Sequence, residues 1–165
     1  MQKFTQKWTV VSLLEPVQDN TKFSYSEWPR HITVADIFTI GLAGDKLLKI
    51  LRPIIEQQRS IELTTANVRN FGPVEKPVKV ITFQPSDSLQ SLHNSLIGTL
   101  DDFGAVFDNP EFTRRGFIAH SALGLVPHLH TAEVVQISSL SIIDMLPDND
   151  GLSRRVLKTL HFAHT

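Results

Sequence analysis

The 165-residue sequence contains no cysteine. Disulfides, thiolate metal ligands and a cysteine nucleophile are therefore excluded, and packing alone must hold the fold. It also lacks any apolar run approaching the roughly 20 residues that a membrane-spanning helix needs. The segment Met1–Leu14 carries Lys3 and Lys7 without the sustained apolar stretch of an export signal. A strong charge of either sign is missing too: 16 Lys and Arg against 17 Asp and Glu give a net charge of -1. Surfaces that grip duplexes normally carry a basic excess, so any nucleic acid partner is expected to be short, with no duplex DNA and no membrane bound. Together these absences predict a cytoplasmic protein, and a monomer is expected.

What is present suits one globular unit. Hydrophobic residues make up 41% and charged residues 20%, and the length is enough for a single core. Thr9–Leu14 (TVVSLL) is a β-branched run stopped by Pro16, read as a buried strand. After a polar loop over Gln18–Glu27, His31–Ile40 (HITVADIFTI) reads as a second strand. Alternation puts His31, Thr33, Ala35 and Ile37 on one face and Ile32, Val34 and Asp36 on the other. From Gly44 to Gln58 the apolar spacing changes to three and four, which predicts a helix, with Pro53 expected to kink or split it.

Strands over Ser60–Val68 and Lys79–Phe83 follow, then a second helix capped by Ser88 and ending near Gly104. Gly116–Leu125 reads as an apolar strand carrying His120, and Val134–Asp144 and Arg155–Phe162 as closing strands. The order predicts an α+β fold with two pseudo-symmetric lobes, approximately residues 1–80 and 81–165. Antiparallel-rich sheets would surround a central cleft, with the helices on the outer faces.

His31-Ile32-Thr33 is the most informative tripeptide. Two residues apart on a strand, an imidazole and a hydroxyl face the same side, one able to move a proton and the other to donate to a phosphate oxygen. Taken alone, a strand histidine is more often a hydrogen-bonded core or rim residue. The surrounding Trp28-Pro29-Arg30-His31-Ile32-Thr33-Val34, however, resembles the first signature of the two-histidine phosphoesterase superfamily, which includes the 2'-5' RNA ligase-like proteins and cyclic nucleotide phosphodiesterases. Gly116-Phe117-Ile118-Ala119-His120-Ser121-Ala122-Leu123, centred 89 positions after the first histidine, resembles the second signature.

This resemblance implies His31 and His120 as the acid/base pair and Thr33 as a phosphate donor. It implies action on a 2',3'-cyclic phosphate or a 2'-5' phosphodiester, with no metal and no cofactor, and a nucleotide or phosphate-bearing RNA end as partner. The second copy departs from the pattern, because the position sharing a face with His120 is Ala122, which has no hydroxyl. Ser121 would reach the phosphate only if a β-bulge turned it inward, and it is kept as a candidate on that condition. The alternative reading is a catalytically weakened or inactive protein that binds nucleotides or RNA ends with the same fold.

Trp28 and Tyr25 are candidates to stack a base, Trp28 having the competing reading of a core residue. Arg30, Arg114 and Arg115 are candidates to pair with phosphate. His128-Leu129-His130 places two imidazoles on one face if extended, but no acidic or histidine partner stands at a familiar ligand spacing, so no metal site is expected. His93 and His161 read as core or rim residues, and His164 lies too near the terminus to be informative.

Overall fold

The structure is a computed structural model describing residues 6–124 and 129–163. Two helices and ten strands are formed among these residues. The strands are β1 (Trp8–Leu13), β2 (Lys22–Ser24), β3 (His31–Thr39), β4 (Ile61–Phe71), β5 (Val78–Phe83), β6 (Val106–Phe107), β7 (His120–Ala122), β8 (Val134–Ile137), β9 (Ser139–Asp144) and β10 (Ser153–His161). The helices are α1 (Gly44–Gln57) and α2 (Asp87–Asp102).

All pairings are antiparallel and build two sheets, one of six strands in the order β2-β10-β9-β1-β3-β6 and one of four in the order β7-β5-β4-β8. The predicted α+β class with antiparallel sheets is thus what forms. The halves of the sequence are interleaved, however: β1–β3 share the larger sheet with β6, β9 and β10. Helix α1 packs on β9 and β10, and α2 on α1 and β3. Leu47, Leu51 and Ile55 of α1 join Leu92, Leu96 and Leu100 of α2 in one buried cluster with Val10, Val34 and Phe38 of the sheet.

Pro53 does not split α1. It is exposed and lies in the last turns, so the amide it lacks would have bonded a carbonyl that water can serve. The cap of α2 is Ser86 rather than Ser88, its hydroxyl accepting from the Leu89 amide at 3.2 Å. The apolar run Val134–Asp144 forms two strands, β8 in the smaller sheet and β9 in the larger. The predicted strand Gly116–Leu125 shrinks to β7, because 3-10 turns occupy Pro110–Phe112 and Arg114–Gly116 just before it, and Leu125 lies outside the described residues.

Strand β3 shifts register against β1 twice. Val11 faces Thr33, Val10 faces Ala35 and Trp8 faces Phe38, so β3 carries extra residues after Thr33 and again before Phe38. The first bulge breaks the simple alternation: Val34 and Ala35 are both buried, with the Thr9 hydroxyl bonding the Ala35 carbonyl at 2.8 Å. Ala35 consequently leaves the face of His31, and Asp36 joins it.

Candidate active site

A cavity of about 590 Å³ lies where the two sheets meet. β3 contributes His31, Thr33 and Asp36, β5 contributes Val78 and Val80, and β7 contributes His120 and Ala122. The two histidines therefore share one hollow, although they are distant in the chain and belong to different sheets.

Both rings are held in the same way. His31 Nδ1 lies 2.8 Å from the carbonyl of Pro29, and His120 Nδ1 lies 2.8 Å from that of Ile118. A carbonyl oxygen can only accept, so each Nδ1 carries the proton and each Nε2 is left as the reactive nitrogen. Each ring also rests on an aromatic: Trp28 against His31 with centroids 4.6 Å apart, and Phe71 edge-on to His120 at 4.7 Å. Burial pushes the His31 pKa below its ordinary value, a positive charge on His120 adding to this and the Pro29 carbonyl opposing it.

Thr33 lines the cavity two residues after His31. At the second motif β7 pairs with β5 in unbroken register, Ile81 opposite Ser121 and Val80 opposite Ala122, so the bulge that Ser121 required is absent. Ser121 is 2% exposed and turned into the interior, while Ala122 lines the cavity. The proposed contact from Ser121 to substrate is thereby corrected: the strand offers a methyl group where the first motif offers a hydroxyl.

The other candidates lie apart from the cavity wall. Trp28 packs on Phe23 and on the far side of the His31 ring, within a small apolar cluster around Val11, Ile143 and Val156. Arg30 is half-buried and donates its amide to Glu15 Oε1 at 3.2 Å, and Arg115 is exposed. Neither arginine is among the lining residues, nor is any other arginine or lysine among the described ones. Arg114 pairs with Asp101 at 2.6 Å, and Tyr25 is exposed. His128 and His164 lie outside the described residues, which include no group of three or more His, Cys, Asp or Glu placed to hold a metal ion.

Two further residues bear on the site, one that strand alternation put on the opposite face and one read only as a core or rim histidine. Asp36 reaches the cavity through the β3 bulge, and a lone carboxylate inside an apolar strand was the available signal. His93, buried in α2, ties the two motifs together. Its Nδ1 donates to the Val34 carbonyl at 2.6 Å, its Nε2 accepts from the Arg114 amide at 2.9 Å, and its ring stacks on Phe117 at 4.0 Å. Both nitrogens are used by a neutral ring, and its pKa is lowered by burial and by the Arg114 charge, against the Val34 hydrogen bond.

Comparison with solved structures returns the same architecture. A phosphoesterase crystal structure shares 15% identity with a TM-score of 0.60, over 96% of this chain and 98% of that one. LigT of E. coli, solved with NADP+, shares 14% identity with a TM-score of 0.59 over the same fractions. A protein of Thermus thermophilus shares 9% with a TM-score of 0.59, over 94% of this chain and 97% of that one. No protein with a curated description matches the sequence. The profile of the 2'-5' RNA ligase superfamily matches residues 3–137, and the chain, with its paired histidine strands, belongs to that family.

Proposed function

We propose that the protein is a metal-independent phosphoesterase acting on 2',3'-cyclic phosphate or 2'-5' phosphodiester ends of nucleotides or RNA, with His31 and His120 as its acid/base pair. The observation that carries this reading is that both imidazoles line one cavity with each Nδ1 committed to a backbone carbonyl. LigT, a structural neighbour, has been solved in complex with ATP, with 3'-AMP and with phosphate, which supports a nucleotide or phosphate ligand here.

In the hydrolytic direction His31, kept neutral by burial, takes a proton from water as the water oxygen bonds to phosphorus. The phosphorus bond to one ribose oxygen breaks, and His120 Nε2 delivers a proton to that oxygen. The Thr33 hydroxyl donates to a non-bridging oxygen. Incubation with 2',3'-cyclic nucleotides tests this. His31→Ala and His120→Ala should each lower kcat by about 100-fold to 10,000-fold, and undiminished turnover in either variant would refute the assignment.

Ala122 favours a second reading, that of a nucleotide or RNA-end binder with little catalytic power. Tight binding of a nucleoside 3'-monophosphate without turnover of any cyclic phosphate would select it.

A further inference from the structure

The roles proposed for the histidines and Thr33 leave Asp36, in the same cavity, unexplained. Its Oδ2 accepts a hydrogen bond from Asn109 Nδ2 at 3.2 Å, and both residues line the hollow. A carboxylate can only accept here, so the Asn109 amide nitrogen must face it and the amide oxygen must face elsewhere. The pair thus leaves two acceptors, Asp36 Oδ1 and Asn109 Oδ1, without a hydrogen bond among the described residues, both on side chains that line the cavity. Phe112 and Phe117 line the same wall. With no lysine or arginine among the described lining residues, a carboxylate would repel a ligand that was only a phosphate. It becomes favourable where the same ligand carries neutral N–H groups that need acceptors.

We propose that Asp36 and Asn109 form a base-reading subsite selective for guanine, with Phe112 as a stacking surface. Among the common bases guanine alone presents two adjacent donors, N1–H and the N2 amino group. Adenine and cytosine set a ring acceptor beside their amino group, and uracil flanks one N–H with two carbonyls. Unstacked bases are commonly read this way, by edge hydrogen bonds and aromatic stacking. The subsite rests on the phosphoesterase reading only for the end of the cavity that the phosphate occupies.

Calorimetric titration with the 3'-monophosphates of guanosine, adenosine, cytidine and uridine tests it without needing turnover. Guanosine should bind tighter than the others by about 10-fold or more, the discrimination typical of a bidentate base contact. Asp36→Asn, which turns a donor toward guanine, should bring the four within about threefold of one another. Asp36→Ser should do the same and serves if the amide variant does not fold. Equal affinities in the wild type, or a guanine preference that persists in a folded Asp36 variant, would overturn the subsite.

Turnover of the four 2',3'-cyclic phosphates is measured in parallel. Guanine-selective binding without turnover keeps the subsite and removes the phosphoesterase reading. Turnover without base preference does the reverse.

Discussion

At the scale of single residues, the two motifs differ on their cavity side by one hydroxyl group. Thr33 and Ala122 occupy corresponding positions beside their histidines and both line the cavity. A preorganised donor to a developing oxyanion typically contributes a factor of about 100 or more in rate. Ala122→Thr should recover part of this and raise kcat on a cyclic nucleotide by about 10-fold, and an unchanged kcat would show that the cavity does not use a second donor. In the proposed mechanism the neutral form of His31 is the base and sets the acid limb of the rate profile. Its pKa lies below the ordinary value near 6.5, so kcat/KM should fall only as pH drops through that lowered value. Trp28→Ala opens one side of the ring to water and should move the limb upward toward pH 6.5 in a pH–rate series. A limb that stays in place would mean that Trp28 contributes nothing to the burial of His31.

At the scale of elements, α2 positions the second motif. His93→Phe keeps the stack on Phe117 and leaves the Val34 carbonyl and the Arg114 amide without partners. The expected cost is about 2–4 kcal/mol in urea unfolding at pH 7.5. Because the folded pKa of His93 is depressed, its contribution is complete above about pH 6.5 and is lost as pH falls through the folded value. The stability difference between pH 7.5 and 5.5 should therefore be smaller in His93→Phe than in the wild type, and equal differences would show that His93 is not the titrating group. His31 carries the same sign, so some dependence remains.

The turn clamped by His93 is tight: a Cβ at Gly116 would lie 1.8 Å from the Glu111 carbonyl. Gly116→Ala must consequently displace the segment leading to His120 and should lower kcat more than it weakens phosphate binding, a split that steady-state kinetics and calorimetry together resolve.

Elements with their own periodicity were readable from sequence: both helices, β1, and β3 with its histidine and threonine on one face. What escaped was set by partners distant in the chain. Asp36 sits in a stretch whose alternation puts it with Ile32 and Val34 on the face opposite His31, and only pairing with β1 introduces the bulge that turns it to the cavity. β2 is a three-residue edge strand too short to carry a pattern. Trp28 looks as suited to stacking a base as to packing, and its place behind the imidazole follows from the tertiary cluster it joins. The two histidine motifs were readable because their chemistry sits in three adjacent residues. The Asp36–Asn109 pair was not, since its members are far apart and one stands in an irregular loop.

At the scale of the whole molecule, the sheet order ties the ends of the chain together. β1 lies between β3 and β9, and β10 between β9 and β2, so the larger sheet is incomplete without strands from either side of the smaller one. Most pairings that form the bed of the cavity join residues far apart in sequence, a topology that folds more slowly than a local one. The β4–β5 connection, by contrast, is exposed throughout, and Val74 within it is 93% exposed. Limited proteolysis should cut there first. Because the pieces on either side of such a nick contribute neighbouring strands to both sheets, neither owns a surface that it can close alone. Denatured and separated, each should stay unstructured by circular dichroism, and mixing them should restore both the spectrum and the activity. Protease damage at that loop would therefore pass unnoticed in an assay and appear only as two bands on a denaturing gel.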